Sequence, residues 1–238
     1  MGHLLSKSKY IRGLQCDRAL WLDVFNPRLA RYTAEQMRRF DRGRDFEYAF
    51  KATFPDGIDL SAELKRNVDA YPARTAELLD DNHTPPPSTS DGPPPLSQGR
   101  SQVTLFEAGF LYDDVLILAD VVHKNSDGTL NIYEVKSGNV LSETYKRDAA
   151  LQHYVISHCR SINKFCVVYN GENRFDTIDL TEELQEQHDD IARNIAAMKD
   201  ILRHGEPATP TGQHCLEPYA CPYQHYCAQG VRQMSLFG

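Results

Sequence analysis

The sequence predicts an α/β fold in which a mixed β-sheet is flanked by helices. Three observations carry that expectation: helical periodicity to about residue 80, a change to strand periodicity at Val103, and a closing succession of helix, two strands and helix. At 238 residues and 41% hydrophobic content, one core can be built without disulfides, so residues 1–238 are read as a single domain. Its parts are a helical region (1–80), a proline-rich insertion (81–102), a core (103–204), a cysteine-rich segment (205–230) and a tail (231–238).

Residues 8–24 place Tyr10, Ile11, Leu14, Ala19, Leu20 and Trp21 at mostly helical spacing, with Ser6 or Ser8 as N-cap, and predict a helix or helix pair. A second helix is expected over 33–53, capped by Thr33 and stopped by Pro55-Asp56-Gly57, and a third over 67–80. The stretch 81–100 holds six prolines among small polar residues and is read as a flexible surface insertion. From Val103, β-branched and aromatic residues bounded by Asp113-Asp114 and by Asn125-Ser126-Asp127-Gly128 predict a three-stranded antiparallel meander over 103–112, 115–124 and 129–137. A helix over 142–158 follows. Residues 163–170 and 174–180 are expected to pair through a type I′ turn at Asn170-Gly171, and a last helix runs from about 182 to 204.

The net charge of −7 excludes a general nucleic-acid coat, because affinity for phosphate backbones comes from Lys and Arg. The distribution is uneven: residues 1–51 hold eleven Lys/Arg against six Asp/Glu, +5, which leaves −12 for the remainder. Such a basic face suits DNA, or else a set of solvated, ion-paired helix surfaces. No run approaches the roughly 18 apolar residues of a membrane helix, so a soluble cytoplasmic protein without membrane contact is expected.

Six cysteines in such a chain point to metal or redox chemistry before disulfides. Cys159 and Cys166 sit in apolar surroundings and read as core residues. Cys16 near the start and Cys215, Cys221 and Cys227 near the end remain as candidate ligands, and thiolates suit an iron-sulfur cluster and Zn²⁺ equally well. His214 and His225 flank them as alternative ligands.

The constellation that carries chemistry is Asp120 in one strand with Glu134 and Lys136 in the next. Alternation puts Glu134 and Lys136 on one face, and a short hairpin brings Asp120 beside them. Burying two carboxylates and an amine on an apolar sheet calls for a compensating cation. Hard oxygen donors suit Mg²⁺ or Mn²⁺ held by Asp120, Glu134 and the Val135 carbonyl, with Lys136 orienting an attacking water. The competing reading is an exposed ladder of charged cross-strand pairs. Glu107, in the first strand, is a candidate neighbour of the site.

Asp120 in Ile117-Leu118-Ala119-Asp120, then Glu134-Val135-Lys136, then a helix bearing Gln152 and Tyr154, resembles the RecB-like branch of the PD-(D/E)xK nucleases, which includes AddB and the CRISPR-associated exonucleases. The resemblance implies a restriction-endonuclease-like core, catalytic roles for Asp120, Glu134 and Lys136, and support from Gln152 and Tyr154. Ser6-Lys7-Ser8-Lys9-Tyr10 followed by Cys16 is similar to the family's opening helix. That likeness implies a 4Fe-4S cluster on Cys16, Cys215, Cys221 and Cys227, stapling the terminal helical region. This chain departs from the family pattern in having Asp17 after Cys16, five-residue gaps between its late cysteines, and Gln152 and Tyr154 only two positions apart. Where many members place a metal-facing His in G-x-x-x-H it has Gly43-Arg44-Asp45-Phe46-Glu47, so the resemblance makes Glu47 a candidate third metal ligand, with an ordinary amphipathic-helix glutamate as the alternative. The end of the chain, Gln233-Met234-Ser235-Leu236-Phe237-Gly238, resembles the peptide by which bacterial repair proteins dock on the DNA sliding clamp, through Gln233, Leu236 and Phe237. The function expected is thus a Mg²⁺- or Mn²⁺-dependent DNA nuclease, an exonuclease on single strands or ends. Its alternatives are a non-catalytic iron-sulfur nucleic-acid-binding module and a zinc-stabilised interaction protein.

Overall fold

A computed structural model of the chain describes residues 3–80 and 102–234. The insertion expected over 81–102 falls, save its last residue, outside the described residues, as do Leu236 and Phe237 of the clamp-like tail.

The N-terminal segment forms strand β1 (Leu5–Ser6), helix α1 (Lys7–Gln15) and helix α2 (Asp17–Phe25). Ser6 caps α1 by accepting from the Lys9 amide, and Cys16 is the extended residue that separates the two helices. Helix α3 (Ala34–Lys51) starts on a reciprocal cap, in which the Thr33 hydroxyl accepts from the Gln36 amide while the Gln36 side chain accepts from the Thr33 amide. Strand β2 (Ile58–Asp59), helix α4 (Leu60–Leu64) and helix α5 (Tyr71–Asp80) complete this half.

The predicted meander is present as β3 (Val103–Tyr112), β4 (Val115–Lys124) and β5 (Leu130–Lys136). Tyr112 pairs with Val115, so Asp113 and Asp114 form a two-residue turn, and both take the positive φ that a type I′ turn requires, 50° and 55°. Helix α6 (Glu143–Ser157) leads to β6 (Ile162–Tyr169), which pairs in parallel with β5, and β7 (Asp176–Asp179) pairs antiparallel with β6. The sheet is mixed, in the order β2-β3-β4-β5-β6-β7, with β1 added alongside β4.

Two expectations are corrected. The β6–β7 connection is not a type I′ turn at Asn170-Gly171: the last pair is Tyr169 with Asp176, the loop spans 170–175, and the positive φ falls on Arg174. The Asn170 amide donates to the Gly138 carbonyl instead, which draws the loop away from a tight hairpin. The helix expected over 182–204 is two helices, α7 (Thr181–Gln185) and α8 (His188–Ile201). The break lets α7 stay on β6 while α8 turns to pack on α1, α2 and α6.

The main core lies between the sheet and α1, α5, α6 and α8. There Tyr10, Leu78, Val155 and Ile195 meet Leu105, Ile117, Ile132, Phe165 and Val167. Opposite, α3 lays Phe46 and Phe50 against Phe106, Val121, Val135 and Val168. A third apolar group joins Ala19 and Leu22 of α2 to Tyr223, just ahead of helix α9 (Gln224–Met234).

Helix α5 approaches β3 at Gly109, whose amide donates to the buried Thr75 hydroxyl at 2.8 Å. A Cβ on Gly109 would stand 2.4 Å from Tyr71 Cβ and 2.7 Å from the Tyr71 carbonyl carbon, and backbone cannot rotate aside as a side chain can. Gly109→Ala is therefore expected to destabilise by about 2 kcal/mol and to lower Tm by roughly 4–8 °C in a thermal melt.

Candidate active site

The site forms where two paired strands part. β4 and β5 are hydrogen-bonded from Lys124–Leu130 to Val121–Tyr133, and the next residues, Asp120 and Glu134, are not. Asp120 Oδ2 accepts from the Val135 amide at 2.8 Å, so a side chain replaces a ladder bond. β1 pairs with the far end of β4, Leu5 with Val115 and Ser6 with Leu116, and thereby leads the chain into the fork. The next residue, Lys7, places Nζ 3.4 Å from Asp120 Oδ1 and 3.3 and 3.4 Å from the two Glu134 oxygens.

Glu134 and Lys136 share a face as alternation predicts, and Lys136 Nζ lies 2.5 Å from Glu134 Oε1. Lys136 also pairs with Asp148 of α6. Gln152 stands one turn beyond Asp148 on the same face of α6 and is fully buried. Its amide faces Glu134 and favours the ionised carboxylate, yet neither Gln152 Oε1 nor Nε2 meets a partner at hydrogen-bond geometry. Asp148 Oδ1 is likewise buried without a partner.

A second acidic group adjoins the first through Asp120. Oxygens of Glu47, Glu107 and Asp120 all lie within 4.8 Å of one another, and Lys51 Nζ is 2.5 Å from Glu47 and 2.6 Å from Glu107. Glu107 and Asp120 face each other across β3 and β4 at the one register position between Phe106–Val121 and Ala108–Ala119 that lacks a ladder pair, and Glu107 has φ 54°. Both strands change face there: Leu105 and Ala108, three residues apart, enter the main core, as do Ala119 and Val122. The switch joins the layer under α6 to the layer under α3, and this lets Glu47 of α3 reach Asp120.

Charge summarises the electrostatics. Five carboxyl groups (Glu47, Glu107, Asp120, Glu134, Asp148) surround three ammonium groups (Lys7, Lys51, Lys136), so full ionisation would leave two negative charges uncompensated. Burial first, and Glu134 second, push Asp120 up to about 8 against the opposing pull of Lys7. Burial works against ionised Glu134 too, but Lys136 and Lys7 overcome it and hold its carboxyl well below the usual range. Asp148 is raised by burial, which Lys136 only partly offsets. Lys136 and Lys7 lose solvation but remain cationic, Lys136 through Asp148 and Glu134, Lys7 through Asp120 and Glu134. Hard oxygen donors that outnumber the ammonium groups by two, with a buried, unpaired amide beside them, fit Mg²⁺ or Mn²⁺, with Asp120 shared by both acidic groups.

The sequence-predicted residues are thus placed as follows. Asp120, Glu134, Lys136 and Gln152 come together, and Glu47 joins through Asp120. Val135 contributes its amide to Asp120 and turns its side chain into the aromatic layer on the opposite face. Tyr154 is not in the site: two positions on a helix turn it about 200° from Gln152, and it packs against Tyr112, His158 and His188 at 5.6, 4.6 and 5.3 Å. Sequence reasoning missed Lys7, Lys51 and Asp148. Lys51 and Asp148 had a usable signal, since each lies four residues from a candidate already recognised, Glu47 or Gln152.

The four candidate cysteine ligands are free thiols: Cys16 separates α1 from α2, Cys215 and Cys221 precede α9, and Cys227 lies in the first turn of α9. Burial raises Cys16, Cys221 and Cys227, and each is raised further by others of the set, Cys215 among them. They are within electrostatic reach of one another, but not at the 4.8 Å spacing of the acidic group. Gln15 fastens the late segment by donating to the carbonyls of His214, Glu217 and Tyr219 at 2.8, 3.1 and 2.7 Å. Arg12 near Cys221 and Arg18 near Cys227 favour the thiolates. Among the described residues the thiols thus form no group at metal-ligand spacing. Cys159 and Cys166 stay apart from this set; Cys166 is buried, as expected, with its thiol pushed up to about 11.

No known family matches the chain, and no curated protein matches it. It is similar to a solved structure described as the crystal structure of SSO0001, at 13% identity over 94% of this chain and 85% of that one, with a TM-score of 0.46, a likeness too remote to bear on chemistry. Among the described residues no helix is long and apolar enough to cross a membrane.

The surroundings of Tyr154 yield a pH dependence. His153 Nδ1 faces His188 Nε2 at 2.8 Å, and burial, aided by His188, lowers His153 to about 4. Between that value and the ordinary 6.5 the unfolded chain binds a proton that the folded chain does not. This contribution is therefore complete above about pH 6.5 and is lost as pH falls toward 4. Urea melts at pH 7 and pH 5 are expected to show wild type losing about 2 kcal/mol more than His153→Gln across that interval.

Proposed function

We propose that the chain is a divalent-metal-dependent phosphodiesterase acting on DNA, with a PD-(D/E)xK-type core. The observation that carries this reading is the convergence of Asp120, Glu134 and Lys136 in a buried cluster whose carboxylates outnumber its ammonium groups by two. An exposed ladder of cross-strand charges does not account for it, because Glu134 is 1% exposed and Asp120 7%.

A bound Mg²⁺ or Mn²⁺ would supply Lewis acidity toward a phosphoryl oxygen and lower the pKa of a water. Asp120, Glu134 and Glu47 are the residues to hold it. Lys136, braced between Glu134 and Asp148, keeps its ammonium fixed where it can orient the attacking water and offset charge on the phosphorus oxygens. The water oxygen bonds to phosphorus as the ester P–O bond breaks, the water's proton passes to solvent, and the departing alkoxide takes up a proton. Lys7, a quarter exposed and paired with Asp120 and Glu134, would be placed to meet a non-bridging phosphate oxygen were those carboxylates to hold a divalent ion.

We also propose that Cys16, Cys215, Cys221 and Cys227 bind a 4Fe-4S cluster, whose chemistry here is to cross-link the two ends of the chain. Cys16 and Cys221 pack against the same apolar group as Tyr223, and Gln15 next to Cys16 donates to three carbonyls of the late cysteine segment, which supports it.

With Mg²⁺ or Mn²⁺, labelled DNA is expected to be cleaved, Lys136→Ala to lower the rate on the order of 10²–10³-fold, and Tyr154→Phe to leave it within about twofold. Mn²⁺ binding followed by electron paramagnetic resonance should survive Lys136→Ala and weaken in Asp120→Asn. Equal cleavage by wild type and Lys136→Ala would overturn the mechanism.

Protein purified without oxygen is expected to show a broad visible charge-transfer band with iron and acid-labile sulfide in equal amounts, both lost in Cys16→Ser. Zinc without such a band would replace iron in this assignment.

A further inference from the structure

Helix α3 has a face that the metal centre does not use. From Ala34 to Ala49 none of its residues is buried. It is held at its C-terminal end by Phe50 and Lys51, and near its start by Gln36 Nε2 donating to the Ala220 carbonyl and by Arg39 over the Tyr219 ring at 4.3 Å. Met37, Phe40, Arg44 and Tyr48 follow one another at spacings of three and four and so form one stripe, roughly 16 Å long at 1.5 Å per residue. Its apolar members are 48%, 46% and 63% exposed, an unfavourable disposition for an isolated surface.

Charge identifies what covers the stripe. Residues 28–48 carry six arginines against Glu35, Asp41, Asp45 and Glu47 in a chain whose net charge is −7, and no cation between Lys9 and Lys51 is a lysine. Arg44 pairs with the exposed Asp41, while Arg38 and Arg42, one turn apart on the adjoining side of the helix, meet no carboxylate among the described residues. Guanidinium groups suit both phosphate and the flat face of a base, and exposed aromatic rings suit bases that are not already stacked in a duplex. The stripe ends at Tyr48, beside Glu47 of the acidic group.

We infer that the outer face of α3, from Met37 to Tyr48, is a binding track for single-stranded DNA, with bases stacking on Phe40 and Tyr48 and phosphates meeting Arg38, Arg42 and Arg44. The inference rests on the phosphodiesterase reading for what happens at the end of the track, but binding is measurable without cleavage.

The test is fluorescence anisotropy of the full chain with an end-labelled 20-nucleotide single strand and the same sequence as duplex, in EDTA, over a salt series. The single strand is expected to bind at least tenfold more tightly than the duplex. Phe40→Ala with Tyr48→Ala is expected to weaken it tenfold or more. Arg38→Ala with Arg42→Ala is expected to flatten the slope of log K against log salt by about 1.4, the share of two single-strand phosphates. These positions are exposed, so each variant should melt with wild type, and a variant that does not is replaced by the milder Phe40→Leu or Arg38→Gln. Equal affinity for duplex, or unchanged binding in both double variants, overturns the track even if wild type cleaves DNA. Loss of binding in the variants with no cleavage by wild type under Mg²⁺ or Mn²⁺ upholds the track and rejects the phosphodiesterase.

Discussion

The parting of β4 from β5 beyond the Val121–Tyr133 pair is the constraint on which the rest of the structure depends. A continuous antiparallel ladder would satisfy its own backbone and leave no reason for carboxylates in the core. Here the Val135 amide is taken by Asp120, which fixes that carboxylate at the centre of the sheet and opens room for a third chain segment. β1 occupies the room along β4, and its continuation brings Lys7 to the opening. Two buried carboxylates without that ammonium and Lys136 would each face a desolvation penalty of several kcal/mol. The lysines reduce the penalty without removing it, because Glu47, Glu107 and Asp148 add negative charge faster than Lys51 adds positive. The raised pKa of Asp120 comes first from its burial and second from the neighbouring Glu134, against which Lys7 pulls only in part.

Glu107 shows how the sheet accommodates this centre. A non-glycine residue at positive φ inside a strand costs about 1–3 kcal/mol and persists only where its surroundings insist on it. Its effect is to exchange the two faces of β3 and β4 at the Glu107–Asp120 position, so that residues on either side of it serve different layers. Without the exchange, Asp120 would belong wholly to the layer beneath α6, and Glu47 on α3 would have no route to it. The aromatic packing of Phe46, Phe50, Phe54 and Phe106 then holds α3 and the Lys51 ammonium in place.

Much of this was legible in the residues themselves. Strand alternation places Glu134 and Lys136 together, the two hairpins of the meander follow from their turn residues, and the Thr33-Gln36 cap marks where α3 begins. What was not legible depends on distance along the chain or on context. β1 and β2 are two residues each, too short to have a period, and they exist because longer strands offer them an edge; Lys7 was hidden for that reason. Asn170-Gly171 has the composition of a tight turn, but the hydrogen bond from Asn170 to Gly138 decides the loop. The break between α7 and α8 is invisible to periodicity, because Leu184 and Ile191, seven residues apart, are buried as one continuous helix would bury them. Tyr154 illustrates the opposite error: a likeness of motif assigned it to the site, whereas a rotation of about 200° relative to Gln152 excludes it.

The cysteine segment and the acidic centre are not independent parts of the molecule, because α1 connects them. Lys7 is its first residue and Cys16 follows its last, and at 1.5 Å per residue the helix spans roughly 14 Å. Its inner side is fixed by Tyr10 in the main core and by Gly13, which Met198 of α8 approaches so closely that a Cβ would stand 2.6 Å from Met198 Cε. Its far end is fixed by Gln15 and Arg12, the first bonded to three carbonyls of the late cysteine segment and the second paired with Asp23, which also accepts from Tyr223. A helix seated this tightly moves as a body. The register of the Lys7 ammonium between Asp120 and Glu134 is therefore set partly by how firmly residues 214–223 are docked on the other end, and stabilising one end of α1 restrains the other.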